Sequence, residues 1–325
     1  IIYMRVVFHL GYPRSGSTYL QTNVFPKHKE INFLGPKNYY NWNDAKITQA
    51  ELDRMASNYE GINSINKDIS LSKIDYTKLF DRDKLNVISS EKYSSYRNII
   101  NNFRDVEYLN ALLEDKFKNV NIDFLIVIRN QYDLIKSLYF HAFPMISHFI
   151  GIKDFRKLIK CFDKNLLDSY INFPFLLFAR SYNFYSLYSN LSIKFKKSNI
   201  KILFYEDLKF DRDTFVNSFA DFLNLDKLYT KEFFNKGIVN PLNIKKNTIF
   251  FNSSLRFKLS NNSFIQKIKN YIPRPIKNII LKSTLSKKYT SLEENQIFEQ
   301  KVKNYYKESN LKFFKVTKLK NKYSY

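Results

Sequence analysis

The sequence predicts an α/β fold of three layers, a central parallel sheet flanked by helices, in a single domain spanning residues 1–325. Three observations carry this. Five short apolar segments rich in strand formers stand out: Val6–Gly11, Ile31–Gly35, Leu85–Glu91, Ile122–Arg129 and Ile200–Tyr205. Stretches with helical spacing lie between them, and such alternation implies parallel strands covered on both faces. Three of the strands end in residues suited to chemistry, Gly11, Glu91 and Arg129. In an open parallel sheet, ligands sit beyond the carboxyl ends of the strands.

The first strand runs into Gly11-Tyr12-Pro13-Arg14-Ser15-Gly16-Ser17-Thr18-Tyr19, a small-residue turn leading into a helix. Turn and helix start together present backbone N–H groups to an anion. Gly11 and Gly16 allow close approach of a ligand. Ser15, Ser17 and Thr18 add hydroxyls, and Arg14 adds a planar charged fork. Gly11 and Gly16 have the spacing of a triphosphatase loop, but Ser17 stands where its lysine belongs. A triphosphatase would also end a later strand in Asp to organise Mg²⁺, whereas Ile122–Ile128 runs into Arg129, which repels a metal and attracts a second anion. The pattern suits a ligand with two anionic ends and no metal, and it disfavours a P-loop nucleotide or small-molecule kinase.

Further along, the strand Leu85–Glu91 ends in a carboxylate, the first of the pair Glu91-Lys92. Glu91 is placed to take a proton from an attacking hydroxyl, a role that needs reach and a tuned pKa. Asn101–Phe117 has one apolar helical face, and Ile150–Lys197 reads as helical with no strand, a lobe for choosing the acceptor. The acids of Tyr205-Glu206-Asp207-Leu208 sit at a strand end, where they read as structural or capping groups. Asp211–Leu223 follows as a helix through Phe215, Phe219, Phe222 and Leu223, after which the pattern loosens. Residues 237–246 read as a loop, Ser263–Lys282 mixes isoleucines with lysines around Pro273 and Pro275, and Glu293–Lys307 reads as a helix.

The segment Gly11–Leu20 resembles the 5′-phosphosulfate loop of sulfotransferases that use 3′-phosphoadenosine 5′-phosphosulfate (PAPS). Arg129 to Tyr139 is similar to that family's 3′-phosphate motif, in which an arginine ends a strand and a serine eight residues later lies on the next helix. Arg129 and Ser137 match; Gln131 stands where the family often has proline. The Glu91-Lys92 pair resembles one in several carbohydrate sulfotransferases, with the glutamate as general base. Tyr205–Leu208 and Tyr306–Leu311 are also similar to family segments. The resemblance covers nearly the whole chain apart from a divergent basic stretch at 245–290, with 291–325 as a C-terminal helix and tail.

It implies a P-loop-like fold and PAPS as co-substrate, with PAP as product and no metal. Arg14, Ser15, Gly16, Ser17, Thr18 and Tyr19 would hold the 5′-phosphosulfate, and Arg129 and Ser137 the 3′-phosphate. Lys245 and Lys246 would close over the nucleotide. Glu91 and Arg14 would be catalytic, with His141 or His148 as the alternative base. Those two histidines and Lys92 are the candidates for contact with the acceptor. His9, inside the first strand, reads as a packed residue.

Composition narrows the setting. The net charge is +23, and Phe251–Tyr325 carries 17 Lys/Arg against 4 Asp/Glu. Such asymmetry points to an anionic partner. No nucleic-acid-binding signature accompanies it; the charge suits an acidic glycan or glycoconjugate acceptor, an anionic membrane surface met by the basic C-terminal region, or simply a solvated charged face. A protein that only binds polyanions or membranes is the non-enzymatic alternative. Cys161 stands alone, so no internal disulfide forms and a reducing compartment is expected. With no signal peptide and no run of about twenty apolar residues, the expected location is the cytoplasm, peripheral to the inner membrane face. Abundant Lys, Asn, Ile and Tyr with six Gly point to an AT-rich, bacterial coding genome.

Overall fold

The computed structural model describes residues 4–35, 79–89, 91–94, 120–139, 155–163, 178–235, 248–252, 285–289, 292–323 and 325. They fall in two compact units. The first comprises Ile1–Asn130, Ser181–Pro241 and Lys312–Tyr323.

Its centre is a five-stranded sheet of β1 (Met4–Gly11), β2 (Ile31–Phe33), β3 (Leu85–Ser89), β4 (Val120–Ile128) and β5 (Ile200–Phe204), in the order β2-β3-β1-β4-β5. Every pairing is parallel, with Phe8 opposite both Ile88 and Phe124. The expected α/β class and all five expected strands are thus present, β2 two residues shorter than its apolar segment. Chain order reverses beside β1, which places a crevice beyond the carboxyl ends of β1, β3 and β4.

The strands are buried because their side chains are apolar on both faces: Val6, Val7, Phe8, Leu10, Phe124, Leu125, Ile126 and Val127 are all at most 1% exposed. Asp123 is the charged exception in β4. Arg5 Nε donates to it at 2.7 Å, and the backbone N–H and side-chain amide of Asn199 donate at 2.9 and 3.0 Å. A buried carboxylate so surrounded is fully hydrogen-bonded.

Helix Arg212–Leu223 forms as its Phe spacing predicts, with Asp211 accepting from Thr214 N at 3.3 Å as its cap. Phe215, Val216, Phe219, Ala220 and Leu223 join Val7, Leu20, Val24 and Val127 in one apolar core. The loosening expected after Leu223 is corrected: Lys227–Phe234 is a helix, capped by Asp226, which accepts from Tyr229 N at 2.7 Å. Its Phe234 is fully buried, with Phe219 edge-on at 5.5 Å and Tyr19 at 5.7 Å. His28 lies in the same cluster, 3.1 Å from Thr230 Oγ1.

The second unit comprises Gln131–Arg180, Leu242–Leu311 and Ser324–Tyr325. Residues 131–139 are helical, as is Phe155–Cys161. Helix Leu292–Thr317 runs ten residues past the expected Lys307, since no glycine or proline interrupts it before Lys318 (φ 56°). Within the unit, Gln131 and Asn310 exchange amide hydrogen bonds at 2.9 and 3.1 Å, and Tyr306 OH donates to Ala179 O at 2.7 Å. Cys161 is half-buried, its thiol pushed up to about 11 by burial and by Asp163. The stretch that diverges from the family contains an unexpected antiparallel pair, β6 (Thr248–Asn252) with β7 (Leu285–Tyr289). No helix among the described residues is long and apolar enough to cross a membrane. The expected helix Asn101–Phe117 and the segment Ser263–Lys282 lie outside the described residues.

Candidate active site

The turn after β1 is held tightly. Ser15 N–H donates to Tyr12 O at 3.1 Å, and two residues adopt left-handed backbone, Arg14 (φ 67°) and Gly16 (φ 84°). For Arg14 this conformation costs about 1 kcal/mol. Arg129, just beyond the end of β4, offsets that cost by donating from Nη1 to Arg14 O at 2.9 Å. A side chain at Gly16 would meet Leu208 Cδ2 at 3.0 Å and Tyr205 Cδ2 at 3.3 Å. At Gly11, a β-carbon would lie 2.6 Å from Ser17 Cβ. Both glycines are therefore required by close packing.

The helix that follows is one α-turn, Ser17–Tyr19, and then a π-helical turn, Leu20–Val24, an arrangement common at functional sites. The first N–H groups of such a helix have no intrahelical partner. Ser15 Oγ is buried and makes no hydrogen bond among the described residues.

Glu91 begins a short 3₁₀ turn, Glu91–Ser94, beyond β3. Ser17 Oγ donates to Glu91 Oε1, and Ser94 Oγ donates to Glu91 O at 2.8 Å. Burial raises the Glu91 carboxyl above the ordinary 4.5, opposed by the Ser17 hydrogen bond and by the charge of Arg14. Burial lowers Arg14, and so does the neighbouring Arg129 guanidinium, opposed by Tyr205 and Glu91. Tyr182 is buried, its phenol pushed up by burial and by Glu91. The Arg129 guanidinium lies over the Tyr205 ring, 4.8 Å from its centroid.

Arg14, Ser15, Gly16, Ser17, Glu91 and Arg129 thus come together in the first unit, from three parallel strand ends. Thr18 is partly buried on the same turn. Tyr19 departs from the expected binding role: it is 2% exposed and its hydroxyl donates to Phe233 O at 2.9 Å. Its large ring is better accommodated among Phe residues than at a polar turn. Ser137 is buried on helix 131–139 of the second unit. Lys92 lies in the 3₁₀ turn, its side chain undescribed; Lys245, Lys246, His141 and His148 lie outside the described residues.

His9 is packed as expected, fully buried with Nδ1 2.7 Å from Ser89 Oγ, and burial lowers it to about 3, so it stays neutral. Glu206 and Asp207 are structural as expected: Glu206 Oε1 accepts from Asn130 N–H at 2.9 Å, and Asp207 Oδ1 from Tyr323 OH at 2.5 Å. Sequence reasoning missed Tyr205 and Ser94. Tyr205 directly follows β5, so its position at the active edge was available; its contact with Arg129 was not.

Residues 5–308 match the family model described as the sulfotransferase domain. No curated protein matches the chain in sequence. Similar solved structures include a sulfotransferase from Alicyclobacillus acidocaldarius, with 14% identity over 80% of this chain and 91% of that one, at a TM-score of 0.41. The sulfotransferase domain from the curacin biosynthetic pathway has 15% identity over 70% of this chain and 75% of that one, at a TM-score of 0.35. Mouse sulfotransferase SULT7A1 complexed with PAP has 15% identity over 70% of this chain and 62% of that one, at a TM-score of 0.33.

Proposed function

Since the chain belongs to the sulfotransferase family, we propose that it works as a single domain that transfers a sulfuryl group from PAPS to a hydroxyl or amine of a glycan acceptor. The observation that carries the reading is the turn after β1, where Arg129 Nη1 donates to Arg14 O at 2.9 Å and so brings a second arginine to the glycine-lined backbone. Two arginines at one strand edge favour an anionic ligand there. The buried Ser15 hydroxyl and the glycine-lined turn fit the same ligand.

In this scheme PAPS supplies the sulfuryl group and leaves as PAP. The backbone N–H groups from Gly16 to Thr18 and the hydroxyls of Ser15 and Thr18 bind the 5′ end. Arg14 offsets negative charge developing there, a contribution of preorganised electrostatics. Arg129 binds the 3′-phosphate; Ser137, Lys245 and Lys246 keep the nucleotide-binding roles that the family resemblance implies. Glu91 accepts the acceptor's proton. Its raised pKa brings it nearer to neutrality, where a general base is most effective, and Ser17 orients its carboxylate. Lys92, His141 and His148 contact the acceptor. The basic C-terminal quarter draws in an acidic glycoconjugate or an anionic membrane face on the cytoplasmic side.

The test is PAP release from PAPS across a panel of neutral and acidic glycans, small alcohols and tyrosine peptides. Release that depends on a glycan, reduced about 10²–10⁴-fold by Glu91→Gln with PAP binding retained, supports the reading. Turnover only with alcohols or peptides overturns the glycan assignment, and full activity in Glu91→Gln overturns the base.

A further inference from the structure

Arg129 has no carboxylate partner among the described residues. Its place is set by its neighbours. The Asn130 backbone N–H is clamped to Glu206 at 2.9 Å, and the guanidinium rests on the face of Tyr205 at 4.8 Å. Both contacts come from the first turn of a short helix, Tyr205–Phe210, that directly follows β5.

That turn is itself tied down by the last residues of the chain. Lys318 adopts left-handed backbone and ends the long helix, and the chain turns through Lys320 and Lys322, whose backbone groups bond at 2.9 Å. Tyr323 OH then donates to Asp207 Oδ1 at 2.5 Å, and Lys322 Nζ lies 3.6 Å from the same oxygen. Asn130 Nδ2 reaches Tyr323 O at 3.4 Å, and the Tyr323 ring meets Phe204 edge-on at 5.9 Å. The tail therefore touches both sides of Arg129: Asn130 directly, and Tyr205 through Phe204 and Asp207.

We propose that Tyr323 is a positioning residue, holding the Tyr205–Asp207 turn and Asn130 so that the Arg129 guanidinium meets the 3′-phosphate of the nucleotide. The inference rests on the assignment of Arg129 to that phosphate. Displacement of a positioned group by about 1 Å can cost up to 10²-fold, so loss of one bond in the tether has a measurable effect without loss of the fold.

The experiment is calorimetric titration of the full chain with PAP and with ADP, which lacks the 3′-phosphate. The quantity read is the ratio of the two dissociation constants. Tyr323→Phe lowers the preference for PAP about three- to tenfold, the scale of one hydrogen bond, and leaves ADP affinity within about twofold. Arg129→Ala serves as the control and abolishes the preference. An unchanged ratio in Tyr323→Phe, with Arg129→Ala behaving as stated, overturns the positioning role alone. Equal loss of PAP and ADP affinity also overturns it, because that is the mark of general destabilisation. A wild-type chain with no preference for PAP, or an Arg129→Ala variant that keeps it, overturns the underlying assignment and the inference with it. Should Tyr323→Phe fail to fold, Asp207→Asn, which removes the charge from the same bond, is read in its place.

Discussion

Gly11→Ala tests the packing beneath the turn that follows β1. Gly11 is the last residue of β1, in register with Val127 of β4, so its backbone cannot move without breaking sheet pairing. An added β-carbon would stand 2.6 Å from Ser17 Cβ and 2.9 Å from His9 Cε1. Neither neighbour is the free end of a flexible chain. Ser17 Cβ is fixed to the helix backbone, and His9 is fully buried with its ring 2.7 Å from Ser89 Oγ. Overpacking of this kind costs about 1–3 kcal/mol. If relief comes by pushing Ser17 away, its hydrogen bond to the Glu91 carboxylate is weakened too, at about 1.5–3 kcal/mol for a bond to a charged group. The two share one displacement and do not add fully, so the expected loss is roughly 2–4 kcal/mol. For a chain of 325 residues, unfolding entropy converts each kcal/mol to about 1.5 °C, giving a fall in Tm of about 3–6 °C. Thermal denaturation followed by circular dichroism measures it, with PAP titration of the same sample. A Tm within about 1 °C of wild type, together with unchanged PAP affinity, would refute the claim that Gly11 is demanded by contact with Ser17 and His9.

Other outcomes follow from the same geometry. Gly16→Ala costs less than Gly11→Ala, roughly 1–2 kcal/mol from its left-handed backbone and a milder contact, because its nearest neighbour is a side-chain methyl, Leu208 Cδ2, at 3.0 Å rather than 2.6 Å; the rank order of the two Tm values checks this. Glu91→Gln changes the pH dependence of stability. Burial raises the folded carboxyl above 4.5, so the folded state holds the proton more tightly than the unfolded chain. Wild-type stability therefore falls as pH rises from 4.5 through the raised value, and the penalty is constant above it. The variant escapes that penalty, so its Tm relative to wild type improves above this window compared with below it; a pH-independent difference would show that Glu91 is not perturbed. Tyr19→Phe loses the bond to Phe233 O and about 0.5–1.5 kcal/mol, with PAP affinity unchanged; a large loss of PAP affinity would return the Tyr19 hydroxyl to the binding site. Asp123→Ala leaves Arg5 without its partner and Asn199 without its acceptor, at about 3 kcal/mol by urea denaturation. PAP binding is retained, since this network lies near the opposite end of β4 from Arg129.

The parallel sheet was legible in the chain, and with it the strand ends at which the candidate residues stand. Strands buried on both faces must be apolar throughout, so β1 to β5 were visible as local runs, and the residues at their ends, Gly11, Glu91 and Arg129, were legible with them. The helix after Asp211, read from its Phe spacing, and the packing of His9 were legible for the same local reasons. Helix Lys227–Phe234 was not, because at eight residues it is too short to show a helical repeat and its stability comes from Phe234 packing among Phe215, Phe219 and Tyr19. Which side chains meet is a matter of tertiary folding. Ser17 and Glu91 are 74 residues apart, Arg129 and Arg14 are 115 apart, and Tyr323 and Asp207 are 116 apart. No local propensity encodes such pairs, since they exist only once parallel strand order has brought distant strand ends together. The same holds for Tyr19, whose position on the binding turn gave no sign that its ring would face the core: helix phase after a left-handed turn, and the Phe residues waiting beneath it, settled that direction.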